Sequence, residues 1–184
     1  MDNGASSYRR FLDGDDYGME ELIRDYKDGL VLYLNSYLND FSSAEDCVQD
    51  TFIKLAVKKP KYRGGSSFKT WLYTIGRNTA LSYLRKRKRK NDILIDECRM
   101  IAAEADLERD YLKEERKITV RKAIRRLKTE YQQVLYLTYF EGFSYAEAAE
   151  VMKKSGKQIE NLLYNARKAL RSELEKDGDS YEEL

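Results

Sequence analysis

A stretch of aromatic and basic residues near the middle of the chain has the composition of a surface for single-stranded nucleic acid. It runs from Phe68 to Lys90 and ends in six consecutive cations. Cations attract phosphates whatever the base sequence, and aromatic rings stack on exposed base faces at roughly 1–3 kcal/mol per base. Rings beside cations can therefore hold an opened strand. The alternatives are a solvated tail for the cations and a hydrophobic core for the rings.

Helical periodicity divides this stretch into a core stripe and its flanks. The stripe follows spacings of three and four residues, as expected of a helix face that packs on a core. Its members are Phe68, Leu72, Ile75, Thr79 and Tyr83. The flanks mix stacking, charged and hydrogen-bonding groups, which a purely structural helix does not require. With the preceding loop, they supply the strand-binding candidates: Arg63, Trp71, Tyr73, Arg77, Asn78, Arg85, Lys86, Arg87 and Lys88.

The composition predicts an all-α protein that is not an enzyme. One proline in 184 residues and many Leu, Ala, Lys, Glu and Arg leave few helix breakers, and no alternating strand pattern is found. The absence of histidine removes the usual acid–base catalyst and the commonest metal ligand. The two cysteines, Cys47 and Cys98, are isolated and cannot form a four-cysteine zinc site. We therefore expect no catalytic residues, no metal and no cofactor.

The sequence favours a cytoplasmic protein. The amino terminus lacks the apolar segment of a signal peptide, and no stretch approaches the length needed to cross a membrane. The two cysteines lie far apart without a CxxC pattern, so two reduced thiols are expected rather than a disulfide. The formal net charge is only +2, which hides the local basic run.

Changes in composition predict two small helical domains joined by a charged linker. The first domain is expected at residues 1–90 and the second, a helix-turn-helix domain, at 118–176. Residues 91–117 contain nine acidic and five basic side chains and too few apolar ones for a core, so we interpret them as the linker. Residues 177–184 are expected to form an acidic tail.

Within the first domain, residues 19–41 have apolar side chains at helical spacing, which predicts one helix or two. Gly29 lies inside this pattern and is the position where a helix would be least stable. Ser42 and Glu45 have the spacing of a capping box for the next helix. The polar side of that next helix carries Asp46, Gln49 and Asp50. This acidic face could be solvated, or it could dock a basic partner.

The second domain has the order of a helix-turn-helix: a short helix, a tight turn and a longer helix. Thr129 is a possible cap of an earlier helix, and Ser144 with Glu147 forms a second capping-box pattern before the short helix. Lys153 stands where such motifs often place glycine, at a cost of about 1 kcal/mol if its φ is positive. A plain helical bundle is the structural alternative. The outward residues of the longer helix, candidates for duplex DNA, are Lys157, Gln158, Asn161, Tyr164, Arg167, Lys168 and Arg171.

From about Tyr17 to Leu174 the chain resembles the extracytoplasmic-function (ECF) group of bacterial RNA polymerase sigma factors. Four segments carry the resemblance, and they follow in the order found in the family. They are AEDCVQDTFIKL at 44–55, YRGGSSFKTWLYTIGRNTALSYLRKRKRK at 62–90, AIRRLKTEYQQVLYLTYFEGFSYAEAAEVM at 123–152 and NLLYNARKALRSEL at 161–174.

The resemblance implies partners for each candidate surface. The first domain would bind the clamp of core RNA polymerase through Asp46, Gln49 and Asp50, and would open the minus-ten promoter element with Asn78 reading a flipped base. The second would bind the minus-thirty-five duplex and the polymerase flap. An anti-sigma factor is a further expected partner. A stand-alone helix-turn-helix regulator that binds duplex operators is the alternative function.

Overall fold

The computed structural model describes residues 3–93 and 115–176, and every regular element in these two ranges is a helix. The chain divides into two compact units, Met1–Ala102 and Ala103–Leu184. The prediction of an all-α, two-domain architecture is confirmed for the described residues. Because the dividing point lies outside the described ranges, the domain boundaries at 90, 117 and 176 stay predictions.

Residues 3–93 of the first unit form four helices: α1 Asn3–Leu12, α2 Tyr17–Leu38, α3 Phe41–Lys58 and α4 Phe68–Ile93. Helices α2, α3 and α4 pack pairwise around a shared core. Each contributes an apolar row at helical spacing, as periodicity predicts. The fully buried members include Leu22, Leu30, Leu34, Val48, Leu55, Phe68 and Leu72. Helix α2 runs through Gly29 as one uninterrupted element.

The start of α3 differs from the sequence prediction. Its N-cap is Asp40, whose side chain accepts a hydrogen bond from the backbone N–H of Ser43 at 3.1 Å. The helix therefore begins at Phe41, so Ser42 lies inside its first turn and cannot cap it. An aspartate in extended backbone conformation is as good an N-cap as serine, and periodicity does not choose between two candidates this close.

Helix α1 was not predicted, because only a few of its ten residues are large and apolar. Tyr8 and Phe11 are buried, and α1 packs on α2 and α4. The approach to α2 depends on Gly18, since a Cβ there would lie 2.3 Å from the carbonyl oxygen of Ser7. Arg10 and Ser7 both donate hydrogen bonds to the Glu21 carboxylate, which ties the two helices together at their polar edge.

The described part of the second unit, residues 115–176, also contains four α-helices: α5 Glu115–Arg125, α6 Thr129–Leu135, α7 Tyr145–Met152 and α8 Gly156–Lys176. Helix α6 continues into a π-helical turn, Tyr136–Phe140. The short α7, a turn and the longer α8 confirm the helix-turn-helix prediction. Thr129 is the first residue of α6 rather than its cap, because the N-cap position is Lys128. Gly142 has φ +67° and ends the preceding segment, because glycine adopts a positive φ without steric cost.

Two predicted segments lie largely or wholly outside the described residues. The linker prediction, 91–117, covers 94–114, of which the structure describes nothing, while α4 reaches Ile93 and α5 begins at Glu115. The acidic tail, 177–184, is likewise outside the described ranges. Cys47 is a free, buried thiol, and Cys98 falls outside the described residues.

Candidate nucleic-acid interfaces

The flank of α4 predicted to meet a strand is less exposed than the sequence suggests. Tyr73 is fully buried, with its ring centroid 5.6 Å from that of Tyr33 in α2. The expectation of a Tyr73 ring available for base stacking is therefore wrong. Helix α4 packs against both α2 and α3, so the part of its circumference that is buried is wider than one apolar stripe. Tyr73 lies next to Leu72 within this buried part.

Trp71 is half-buried in a group of rings that we call the aromatic cluster. Its ring centroid lies 5.3–5.5 Å from those of Tyr8, Tyr62 and Phe68. Such separations are typical of favourable tilted ring pairs. The cluster consists of Tyr8, Tyr26, Tyr62, Phe68 and Trp71. Trp71 thus presents one part of its ring to solvent while its neighbours fix the orientation of the rest.

All but one of the remaining strand-binding candidates of the first unit are exposed, and the exception is Arg77. Asn78 is exposed on α4, and Arg63 is exposed in the connection between α3 and α4. Arg77 is half-buried, and its Nε atom is a buried donor without a hydrogen-bond partner. The basic end of α4 is exposed from Arg85 through Arg89, which includes Lys86, Arg87 and Lys88. These side chains form a continuous cationic end of the helix.

The exposed face of α3 is larger and less polar than the sequence analysis found. Asp46, Gln49 and Asp50 are exposed as predicted, and the same face continues with Ile53, 56% exposed, and Val57, 76% exposed. The signal was available in the sequence, because positions 46, 50, 53 and 57 follow spacings of four, three and four. Apolar side chains this exposed, in line with two carboxylates, make a mixed acidic and apolar surface.

Cys47 lies beneath this surface and is not part of it. Burial raises the pKa of its thiol to about 11, and the nearby carboxylates of Asp50 and Asp46 act in the same direction. A thiol with this pKa stays protonated near neutral pH and behaves as a small apolar core residue.

The helix-turn-helix is held by two capping boxes. The predicted one is present: the Ser144 hydroxyl accepts from the Glu147 backbone N–H, and the Glu147 carboxylate accepts from the Ser144 N–H at 3.0 Å. A second one opens α8, where the Gln158 side chain accepts from the Ser155 N–H at 2.8 Å and the Gln158 N–H donates to the Ser155 hydroxyl at 3.3 Å. Gln158, a predicted DNA contact, therefore also fixes the start of its own helix.

Most of the predicted duplex contacts share the exposed face of α8. Tyr164 is 70% exposed, and the turn before the helix contains Lys153 in the left-handed conformation, at φ +54°. Arg171 is exposed but pairs with Glu175, with 3.1 Å between Nε and Oε1. The exposed candidates are Lys157, Gln158, Asn161, Tyr164, Lys168 and Arg171.

Arg167 is the exception, because two tyrosines outside α8 hold it. Its Nε atom donates to the hydroxyl of Tyr139, its guanidinium carbon lies 5.5 Å from the centroid of that ring, and its terminal nitrogen is 3.4 Å from the hydroxyl of Tyr145. Tyr139 belongs to the π-helical turn and Tyr145 begins α7. Sequence reasoning missed both tyrosines, since nothing in a single sequence signals that two loop-proximal rings converge on one guanidinium.

Within 3–93 and 115–176, no group of three or more His, Cys, Asp or Glu side chains is placed to hold a metal ion. In the same residues, no helix combines the length and apolarity required to cross a membrane.

Comparison with known proteins identifies the family. Residues 22–90 match the family described as Sigma-70 region 2, and residues 117–170 match Sigma-70, region 4. The chain is 31% identical over 160 residues to the RNA polymerase sigma factor YlaC of Bacillus subtilis, covering 86% of this chain and 92% of that protein. It is also 31% identical over 150 residues to the ECF RNA polymerase sigma factor SigC of Mycobacterium tuberculosis, covering 77% and 76%. The chain belongs to the ECF group of RNA polymerase sigma factors.

The structural comparison agrees with this assignment. A sigma factor from Bartonella quintana, RpoE, solved in complex with the anti-sigma factor NepR, has a TM-score of 0.63 and 27% identity, covering 85% of this chain and 96% of that one. In the present chain, the first unit contains the region 2 match and the second unit contains the region 4 match. The protein therefore acts in promoter recognition at the initiation of transcription.

Proposed function

We propose that this sigma factor binds core RNA polymerase through α3, captures the opened minus-ten strand with α4 and the loop before it, and binds the minus-thirty-five duplex with α8. One observation carries the proposal. The two family matches occur in order in two separate units, and each unit has an exposed face of the required chemistry. Two modest DNA contacts tethered to one polymerase gain affinity through effective concentration.

The α3 face supports docking on the polymerase clamp. Asp46, Gln49 and Asp50 supply acidic and hydrogen-bonding groups, and Ile53 and Val57 add exposed apolar area. Charge complementarity orients a partner and speeds its association, whereas apolar area supplies affinity once water is excluded. A basic surface with an apolar centre is the partner that fits this stripe.

The exposed end of α4 and the preceding loop support strand capture. Trp71 offers a partly exposed ring held by its neighbours, and Asn78 offers an exposed amide that can read a base edge. Arg63, Arg77 and the cations Arg85–Lys88 supply attraction for phosphates. Stacking and hydrogen bonds at these positions offset the cost of flipping a base, a few kcal/mol. Tyr73 supports the helix from the core and touches no base in this mechanism.

Helix α8 supports major-groove binding. Lys157, Gln158 and Asn161 lie in its first turns, where a recognition helix meets base edges. Tyr164, Arg167, Lys168 and Arg171 follow and are suited to phosphates and sugars, which fix the register of the helix on the duplex. Because two tyrosines already orient Arg167, its guanidinium loses less freedom on binding than a mobile arginine would.

Three further properties follow from this role. An anti-sigma factor is a partner of the Bartonella quintana relative, and we assign a partner of the same kind to this protein. The protein contributes binding and strand separation, while the polymerase supplies the chemistry, so it is not itself an enzyme. Its place of action is the cytoplasm, where core polymerase and the chromosome meet.

A transcription assay tests the proposal. Promoters are obtained by sequencing the DNA recovered with the assembled holoenzyme, and run-off transcription from them is measured with core polymerase alone, with this protein, and with the Asp50→Arg variant. Promoter-dependent transcripts are expected only with the unaltered protein. No transcript from any recovered promoter, or tight binding of duplex operators without core polymerase, would instead favour a stand-alone helix-turn-helix regulator.

A further inference from the structure

Helix α1 precedes the region 2 match, which begins at residue 22, yet it packs on the part of the first unit assigned to the opened strand. Tyr8 lies at the centre of this contact and is only 1% exposed. Its ring centroid is 5.5 Å from those of Phe68 and Trp71 in α4. Tyr8 is therefore one of the rings of the aromatic cluster that pack on Trp71 and orient it.

The hydroxyl of Tyr8 extends this contact to the connection between α3 and α4. It donates a hydrogen bond to the carbonyl oxygen of Pro60 at 2.8 Å. Burial raises the pKa of Tyr8 to about 12, so the hydroxyl remains a donor throughout the physiological range. One turn further along α1, the ring of Phe11 lies under the ammonium group of Lys59, with 5.0 Å between Nζ and the ring centroid. Helix α1 thus holds two successive residues at the start of the connection.

The far end of the same connection is fixed by its own side chain. Tyr62 packs its ring on Trp71, at 5.3 Å, and donates its hydroxyl to the carbonyl oxygen of Ser66. Between the two fixed ends, Arg63 and Gly64 are exposed, and Gly64 has φ +72°. We call this connection, residues 59–67, the platform. Both of its ends are held by contacts, and its exposed middle carries Arg63, a cation assigned to the opened strand.

We propose that Tyr8 is a positioning residue for strand capture: its hydroxyl and ring fix the connection 59–67 and Trp71 in the arrangement that receives the opened strand. This inference rests on the proposed function of α4. The physical reason is preorganisation, because a loop ordered before the strand arrives loses less conformational entropy on binding. Without the Pro60 hydrogen bond, the platform carrying Arg63 loses one of its anchors and samples other arrangements more often.

The test uses the Tyr8→Phe variant, which keeps the ring and removes the hydroxyl. The holoenzyme is titrated with a fluorescent single-stranded oligonucleotide taken from the nontemplate minus-ten strand of a promoter that it transcribes. We expect the dissociation constant to rise about three- to tenfold, the range set by one net hydrogen bond. Affinity for core polymerase and for minus-thirty-five duplex is expected to stay unchanged, because the hydroxyl that is removed donates to Pro60 and belongs neither to the exposed α3 face nor to the exposed α8 face.

Tyr83→Phe is the matched control. It removes a tyrosine hydroxyl of the same unit, 2.9 Å from the Ser43 hydroxyl, without touching the connection 59–67. Both variants should lose similar thermal stability, and only Tyr8→Phe should weaken oligonucleotide binding. Equal weakening by both variants, or no weakening by Tyr8→Phe, overturns the proposal.

A double variant separates this inference from the function on which it rests. If Tyr8 acts through the platform, Tyr8→Phe should add little to the loss already caused by Arg63→Ala. Fully additive losses contradict the positioning role. If the unaltered holoenzyme does not bind the oligonucleotide, strand capture itself fails, whereas normal binding that only Arg63→Ala weakens removes the role of Tyr8 alone.

Discussion

The guanidinium of Arg167 lies over the ring of Tyr139, at 5.5 Å from its centroid, and donates a hydrogen bond to the hydroxyl of the same residue. The two residues belong to different helical elements, 28 positions apart in the chain. The π-helical turn that contains Tyr139 makes this possible, since widening a helix by one residue redirects the side chains that follow. The cation that we assign to the minus-thirty-five duplex is thereby held in place by its own unit.

Arg167 should act as a phosphate contact of the minus-thirty-five duplex. The logarithm of the association constant falls as the logarithm of the salt concentration rises, and Arg167→Ala is expected to make this negative slope less steep by about 1, as for the loss of one phosphate contact. Tyr139→Phe should weaken binding about two- to fivefold and leave the slope unchanged, because the cation remains. Duplex binding by the holoenzyme, measured over a salt series, checks both.

Arg126→Ala is the control for Arg167, because it removes a cation of the same unit that pairs with Glu173 at 3.5 Å rather than lying on the α8 face. Its salt slope should match that of the unaltered protein. A slope that does not change in Arg167→Ala would contradict the assigned contact.

The α3 face should be sensitive to both charge and apolar area. Asp50→Arg is expected to weaken core polymerase binding more than tenfold through like-charge repulsion with a basic partner. Val57→Ser should weaken it severalfold with no change in charge, because an exposed apolar side chain loses its contact. Binding of labelled protein to core polymerase gives both values. Glu20→Arg reverses an exposed charge on α2 instead, and an equal loss in that variant would show a general charge effect.

Lys153 lies in the turn of the helix-turn-helix at φ +54°, where a Cβ is unfavourable and glycine is not. Lys153→Gly should therefore stabilise the second unit by about 0.5–1 kcal/mol. Hydrogen exchange of the α7 and α8 amides in the full chain measures this change. Glu150→Gly, an exposed position within α7, should have the opposite sign and cost about 1 kcal/mol. Destabilisation by both would indicate that the lysine side chain makes a stabilising contact.

The Asp40 cap predicts a dependence of stability on pH. Hydrogen bonds from Ser43 hold the pKa of the Asp40 carboxyl below its ordinary value of 3.8. A group whose folded pKa is lowered stabilises the fold above its unfolded pKa and loses that contribution as the pH falls through the folded pKa. The free energy of unfolding, measured in urea, should therefore fall below about pH 4 more in the unaltered protein than in Asp40→Asn. An equal fall in both proteins would contradict the cap.

Sequence periodicity predicted the helices that bury one clear stripe, and it failed where burial depends on two neighbours at once. Leu30, Leu34 and Leu72 repeat at helical spacing and are buried as expected. Tyr73 is buried because α4 packs on two helices, and a single sequence does not reveal how wide the buried arc is. The cap at Asp40 was missed in favour of Ser42, because aspartate and serine have similar N-cap preferences and lie only two positions apart.

The residues of the candidate sites were predicted where a local pattern marks them and missed where their position depends on helix packing. Exposed polar side chains such as Asp50, Asn78 and Lys157 were predicted from their place opposite the apolar stripes. Long-range contacts were not, because the hydrogen bond from Tyr8 to Pro60 and that from Arg167 to Tyr139 join residues 52 and 28 positions apart. Such pairs arise only once the helices are packed, and no local pattern encodes them.

The packing of helix α1 is sensitive to any substitution of Gly18. Any single-nucleotide change that replaces this glycine adds at least one carbon, which would meet the backbone oxygen of Ser7 at 2.3 Å and the backbone nitrogen of Phe11 at 2.8 Å. Neither atom can swing aside as a flexible side chain would, so α1 must lift away from α2. A missense allele at this codon would therefore leave the family-matching segments intact in sequence while detaching the helix that braces them.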